Sequence, residues 1–202
     1  MPKDIVHHER RIQILEALHH CLLEKPFHQT TIKEIARKAG VNHGLLHYYF
    51  ENKQDLLLKY IDHTFNNYYS EFLERFARRP DDEVSAACRM EERFQWVLGE
   101  VAFNRESARI FTEIWAMSMH DEAIRQKLHE LYTKWQGRIM DMMDEIGDET
   151  DKASRISLTL IALTEGLSLF SALFSRDDLC HDISFTGLMR CMEQPENQRS
   201  DP

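Results

Sequence analysis

His43, His47, Tyr48 and Tyr49 gather four polar rings into one short span, after the Thr31 hydroxyl and the Asn42 amide and before the Lys53 ammonium. Together these side chains supply hydrogen-bond donors, acceptors and a cation, the groups that meet base edges and phosphate oxygens. Leu46 and Phe50, four apart, point inward on a helix, which leaves His43, Leu45, His47 and Tyr48 facing outward. That is the set a recognition helix offers to a major groove. His43 and His47 also have the spacing of two metal ligands. Without a nearby Cys or carboxylate cluster, DNA contact or plain exposure is the better reading, and no metal site is assigned.

Such side chains need a rigid mount, and the flanking residues describe one. Thr31 and Glu34 have capping-box spacing, which starts a short helix with Ile32, Ile35 and Ala36 on one side. Gly40 tolerates the positive φ of a tight turn, and Asn42 can cap the next helix. Two short helices joined by a Gly-containing turn form a helix-turn-helix. An ordinary helical hairpin with a chance Ala-Gly-Val turn is the competing reading, but capping, turn and inward spacing agree at once.

The chain of 202 residues has 43% apolar content, few Gly and Pro, and apolar spacing of three and four almost throughout. This pattern predicts an all-α protein with an ordinary buried core. Cys21, Cys88, Cys180 and Cys191 are too scattered for a zinc cluster or a disulfide framework and read as reduced thiols. Met1-Pro-Lys-Asp4 lacks an apolar signal core, so a cytoplasmic location is expected. Net charge is −9, yet residues 1–55 hold eight Lys/Arg against seven Asp/Glu and seven of the eleven His, while the remainder holds 17 basic against 27 acidic side chains. The N-terminal piece is therefore the one able to approach a polyanion. Being only weakly basic, it depends on cation placement, helix N-termini and doubling by dimerisation, with affinity falling as salt rises.

A first helix is predicted from about Asp4 to Glu24, with Ile12, Leu15, Leu18 and Leu22 inward and Pro26 beyond its end. A longer helix from Lys53 to about Arg79 leads to a boundary at Pro80-Asp81-Asp82. Further helices are read near 82–103, 105–119, 121–146, 150–175 and 183–193, with Asn104 interrupting, Asp121 and Thr150 capping, and Gly147 terminating. The expected organisation is a DNA-binding domain over 1–55, a ligand-binding and dimerisation domain over 56–194, and a disordered polar tail over 195–202.

The 150–175 segment is apolar on two sides. Ile156, Leu160, Leu163, Leu167, Phe170 and Phe174 form one stripe, and Leu158, Ile161, Leu169 and Ala172 the other. Ser157, Thr164 and Ser171 make a narrow hydroxyl seam between them. A helix apolar on both sides must be covered on both, by its own core and by a second subunit. Its length approaches a bilayer span, but Glu165 at the midpoint and the many Ser/Thr argue against a membrane.

The arrangement resembles the TetR family of one-component bacterial transcription regulators, most strongly from Arg10 to Tyr60. The matching residues are Thr31, Ile35-Ala36, Ala39-Gly40-Val41, Tyr49-Phe50 and Lys53. Gly44 to Phe50 and Glu165-Gly166-Leu167 look most like the choline-responsive branch. The resemblance implies a dimer of all-helical subunits, with a C-terminal domain that binds an inducer and pairs through its last two long helices. Leu158, Ile161, Glu165, Leu169 and Ala172, with Phe185 and Leu188 in the last helix, are then the candidate dimer contacts. It also implies that Thr31, Tyr49 and Lys53 contact phosphates, while His43, Gly44, Leu45, His47 and Tyr48 face the groove beside the Asn42 cap. The family often has Lys, Thr and Tyr where this chain has His43, Leu45 and His47. Leu45 offers only an apolar contact, such as to a thymine methyl, so the operator sequence does not follow.

For an effector, Phe111, Trp115, Met119 and Trp135 supply bulky side chains at helical spacing, although most such residues are core. Trp96 differs, since Glu92, Arg93 and Glu100 share its face. Glu113 shares a face with Arg109 and His120, which predicts a surface ion pair. Glu165 has no cation at its helical neighbour positions and reads as a hydrogen-bonded structural group or a ligand counter-charge. Aromatics with one carboxylate suit an organic cation.

The expected protein is a homodimeric transcription regulator, a repressor released from its operator by a small-molecule effector, with half-sites ~34–36 Å apart. An activating or ligand-independent regulator is the alternative within the class. A helical scaffold without DNA binding is the alternative outside it. No phosphate loop, paired carboxylates or nucleophile-base motif supports an enzyme, and no cofactor is expected.

Overall fold

A computed structural model of the chain describes residues 3–76, 85–144, 150–174 and 183–192. All regular structure among them is helical: α1 Lys3–Glu24, a 3-10 turn Phe27–Gln29, α2 Ile32–Lys38, α3 His43–Tyr49 and α4 Lys53–Arg75. Beyond these lie α5 Ala86–Val97, a π-helical turn Leu98–Ala102, α6 Arg105–Ser118, α7 Glu122–Asp144, α8 Thr150–Ser171 and α9 Phe185–Met192. The all-α expectation holds, and most predicted ends fall within a few residues. The proposed break at Pro80-Asp81-Asp82, the Gly147 stop and the 195–202 tail lie outside the described residues.

The chain packs as two compact units, Met1–Ala77 with Arg109–Thr133, and Arg78–Ala108 with Lys134–Pro202. The division does not fall at residue 55, because Leu56, Leu57, Tyr60 and Ile61 of α4 are buried in the same cluster as Ile14 and Leu18 of α1 and Ile35 and Leu46 of the short helices. α1 with the two short helices alone would leave one side of that cluster uncovered. Ile110 and Ile114 of α6 and Ile124, Leu128 and Leu131 of α7 complete it. Polar ties reinforce the packing: His19 Nδ1 lies 2.7 Å from the Tyr60 hydroxyl, and Lys127 Nζ donates to Asp62 at 3.0 and 3.1 Å. Burial pushes the Tyr60 phenol up to about 12, so this hydroxyl is neutral near neutral pH.

Along α1 the buried face is broader than predicted. Ile14, Ala17 and Cys21 are buried with Leu15, Leu18 and Leu22, while Ile12 is only half-buried. The helix is pressed by both α2 and α4, so more than one side of it is covered.

In the second unit the helix predicted over 82–103 is divided. Ser85 caps α5, its Oγ accepting the Cys88 amide at 3.3 Å, and the last turn widens to π-helical before Asn104 Oδ1 takes the Ser107 amide at 3.1 Å. The π turn packs against α8, and α9 packs against α5. Glu91 fixes the start of α9, its carboxylate accepting the Phe185 amide at 3.2 Å and the Thr186 amide at 3.1 Å.

α8 departs most from its sequence pattern. Its buried face carries Ala153, Ile156, Ile161 and Leu167 together with Ser157, Thr164, Ser168 and Ser171, so the hydroxyl seam faces inward. Burial is tolerable because Ser157, Thr164 and Ser171 donate to the carbonyls of Ser154, Leu160 and Ser168 at 2.8, 2.8 and 2.7 Å. Leu158, Leu169 and Phe170 are exposed, as are Leu173 and Phe174 just beyond the helix. The predicted core stripe is therefore split, with Phe170 and Phe174 outside. The stretch Lys152–Ser171 is long and apolar enough to cross a bilayer by length and composition, but its hydroxyl face is buried in the protein's own second unit.

Candidate nucleic-acid interface

The helix-turn-helix forms by the local rules its residues suggest. Thr31 Oγ1 accepts the Glu34 amide at 3.3 Å, and Glu34 Oε2 accepts the Thr31 amide at 2.8 Å, closing the capping box. Lys25 pairs with Glu34 at 2.6 Å. Hydrogen bonds from Lys25 and Thr31 hold the Glu34 carboxyl down to about 2. Gly40 has φ of +63°. Nothing lies within 4 Å of a methyl built there, so Gly40→Ala pays only for the left-handed backbone, about 1–2 kcal/mol. Urea unfolding should read that loss, with Gly40→Asn losing less.

Asn42 Oδ1 accepts the Gly44 amide at 2.6 Å and starts α3. Leu46 is 0% and Phe50 1% exposed, and both lock α3 into the core. Their burial turns His43, Gly44, Leu45, His47 and Tyr48 outward, with Tyr48 71% exposed and Tyr49 half-buried. The His43 and His47 rings sit 4.9 Å apart, edge to face. Among the described residues no group of three or more metal-ligating side chains exists.

His7 of α1 was invisible to sequence reasoning. Its ring packs 4.5 Å from that of Tyr49 and 5.6 Å from that of Tyr48, which adds a third exposed imidazole to the surface of α3. No periodicity in α1 signals this, because His7 is one exposed polar residue among several. The half-buried Gln13 was equally invisible, its Nε2 donating to the Ala39 carbonyl at 2.8 Å beside the turn.

The cations are less available than their count suggests. Lys25 is paired with Glu34, Lys38 with Glu24, and Arg11 lies 5.8 Å above the Phe50 ring. Lys53 Nζ donates to the Phe27 carbonyl at 2.5 Å and sits 4.1 Å over the Phe27 ring. Burial pushes its ammonium below the usual lysine range, against the opposing pull of Glu113 and Glu34. Thr31 Oγ1 likewise donates to Glu34 at 2.9 Å. Lys33 and Arg37 of α2 remain as exposed cations. Glu113 does not make the expected ion pair on its own helix. Its Oε1 accepts the Phe27 amide at 2.5 Å, while Arg109 donates to the Leu23 carbonyl at 2.9 Å. Arg109 meets a carbonyl in the last turn of α1, and Glu113 the first amide of the 3-10 turn, two kinds of helix-end group that lack a partner within their own helix.

Two family models match. Residues 14–60 fit that of the bacterial regulatory proteins of the tetR family, and residues 86–182 fit the C-terminal domain of BetI-type transcriptional repressors. The chain belongs to the TetR family. It is a DNA-binding transcriptional regulator and not an enzyme. TetR-family relatives include the HTH-type transcriptional regulator BetI of Klebsiella pneumoniae (strain 342), 28% identical over 180 residues that cover 86% of this chain and 87% of that one. BetI of Escherichia coli (strain K12) matches with the same identity and coverage. The fold is shared with Salmonella enterica GusR, with a TM-score of 0.64, 24% identity, and 81% and 85% of the two chains covered. It is also shared with a Saccharomonospora viridis regulator solved in complex with choline, with a TM-score of 0.66, 20% identity, and 88% and 98% covered.

Within this TetR-family frame the effector candidates divide. Trp96, Trp135 and Glu165 belong to the second unit and are half-buried. Phe111, Trp115 and Met119 belong to the first. There Phe111 packs edge to face on Phe65 at 5.6 Å as part of the core, while Trp115 is 47% and Met119 64% exposed. The dimer candidates divide too. Leu158, Leu169 and Ala172 are exposed and Leu188 and Glu165 half-buried, whereas Ile161 and Phe185 are buried within the chain itself, Phe185 with its ring 6.2 Å from that of Phe94. Alternation read from hydropathy could not separate Ile161 from its exposed neighbours.

A pH dependence follows from these groups. Glu34 strengthens the helix-turn-helix wherever it is ionised, and with its carboxyl held to about 2 that contribution is lost only as pH falls from the ordinary carboxylate range through about 2. That contribution is therefore constant between pH 8 and pH 6. Thermal midpoints are expected to fall as pH drops below about 4, and Glu34→Gln should remove part of that fall. A Glu34→Gln variant whose acid dependence matches the parent would exclude this role.

Proposed function

We propose that this regulator is a homodimeric repressor that sets two α3 helices into successive major grooves and leaves its operator when a small organic cation binds the second unit. The observation that carries the reading is α3 itself: Leu46 and Phe50 are sealed in the core while His43, Leu45, His47 and Tyr48 stand outward together. Thr31, Tyr49 and Lys53 then serve phosphates, and half-sites lie one turn apart, ~34–36 Å. A gel shift with the DNA upstream of its own gene tests this. Retarded DNA that chases with unlabelled specific duplex supports it, and no retardation at low salt rejects it.

The second copy covers the exposed apolar side of α8, where Leu158, Leu169, Phe170 and Leu173 otherwise meet water. An organic cation is favoured by the half-buried Glu165 with Trp96 and Trp135 in the same unit, and by the choline bound in the S. viridis relative of the fold. The effector must bind the released state better than the DNA-bound one, since only differential affinity shifts the equilibrium. Glu165→Gln is expected to raise the choline concentration that releases DNA by about tenfold, the value of one lost charge contact near 1.4 kcal/mol. Release at unchanged choline concentration would show that Glu165 is not the counter-charge.

A further inference from the structure

Phe27 is held from two sides at its backbone. Glu113 Oε1 of α6 takes its N–H at 2.5 Å, and Lys53 Nζ at the start of α4 donates to its carbonyl at 2.5 Å while resting 4.1 Å over its ring. One residue's backbone thus holds a carboxylate at its N–H and an ammonium at its C=O, and the charge of that carboxylate acts on the ammonium. Glu34, the other carboxylate that acts on Lys53, is already engaged by Lys25 and by both the amide and the hydroxyl of Thr31. Glu113 spends its bond on an uncharged amide, so its negative charge remains for the neighbouring ammonium.

We propose that Glu113 is a positioning residue for DNA binding: through Phe27 it keeps Lys53 docked on the protein and competes with a DNA phosphate for that ammonium. Bound DNA draws Lys53 from the Phe27 carbonyl to a phosphate oxygen, and the carboxylate on α6 sets the cost of that exchange. The inference rests on the reading of Lys53 as a phosphate contact. Both parts are separable, because Lys53 can be removed independently.

The test uses the full-length protein and a labelled mixed-sequence duplex at low salt, since phosphate contacts need no particular sequence. Glu113→Gln keeps an oxygen for the Phe27 amide and removes the charge. It is expected to tighten binding about three- to tenfold, the size of one coupling between neighbouring charged groups. Phe27→Leu keeps both backbone bonds, removes the ring beneath the ammonium, and should shift affinity in the same direction. Glu113→Asp keeps the charge and should tighten it less than Glu113→Gln. Lys53→Met should weaken binding and lower the slope of log K against log salt by about 0.9 for each subunit engaged. In the Lys53→Met background, Glu113→Gln should change nothing. An equal gain with and without Lys53, or no gain in the single variant, overturns the role of Glu113. A Lys53→Met variant that binds as tightly as the parent overturns the phosphate contact instead.

Discussion

Leu169→Glu on the exposed side of α8 is expected to convert the protein into a folded monomer whose DNA affinity is lower by at least about a hundredfold. The side chain stands half in water in the protomer, so a carboxylate there costs the isolated chain little. Opposite a second copy the same carboxylate would be buried against apolar side chains without a partner, at several kcal/mol. Loss of the proposed dimer would remove the advantage of binding two half-sites at once, an effect of about 10²–10⁴ in affinity without any change in the contacts of either half. Sedimentation velocity reads the association state, far-ultraviolet circular dichroism reads the unchanged helix content, and anisotropy reads DNA binding. A variant that remains a dimer would place the subunit contact elsewhere.

Leu46→Ala is expected to have the second large effect, through α3 alone. This side chain is fully buried, and truncating a buried Leu costs about 2–5 kcal/mol in lost transfer and cavity energy. A seven-residue helix has no independent stability in water. Its docking is therefore lost before the rest of the unit unfolds. Amide exchange should show the α2–α3 region opening first, the thermal midpoint should fall, and operator binding should disappear while α4 and α7 stay helical. Retained affinity with an unaltered melting curve would show that Leu46 does not mount the reading face.

The helix-turn-helix was legible in the residues because every rule that builds it is local. Thr31 with Glu34, Gly40, Asn42, and Leu46 with Phe50 act within one or two turns of chain, so their spacing alone encodes the geometry later seen. The neighbourhood of Phe27 was not legible. Glu113 lies far along the chain from the amide it satisfies, and its nearest sequence partners, Arg109 and His120, suggested a surface pair instead. The same limit hid His7 beside Tyr48 and Tyr49, and it overstated the charge available to DNA by counting Lys25, Lys38 and Lys53 as if none were occupied.

By itself the sequence determined an all-helical chain, the helix-turn-helix and the identity of its outward side chains, because capping, turn chemistry and a 3.6-residue period act over short stretches. Only the tertiary structure decided which side of α8 is inside. Serine and threonine count as polar in any hydropathy pattern, yet their hydroxyls bond to carbonyls of the preceding turn and fit a close-packed interior. That left Leu158, Leu169 and Phe170 on the outside. Which groups meet across the fold, and so which charges are spent before DNA arrives, depends on helices brought together by burial rather than by adjacency.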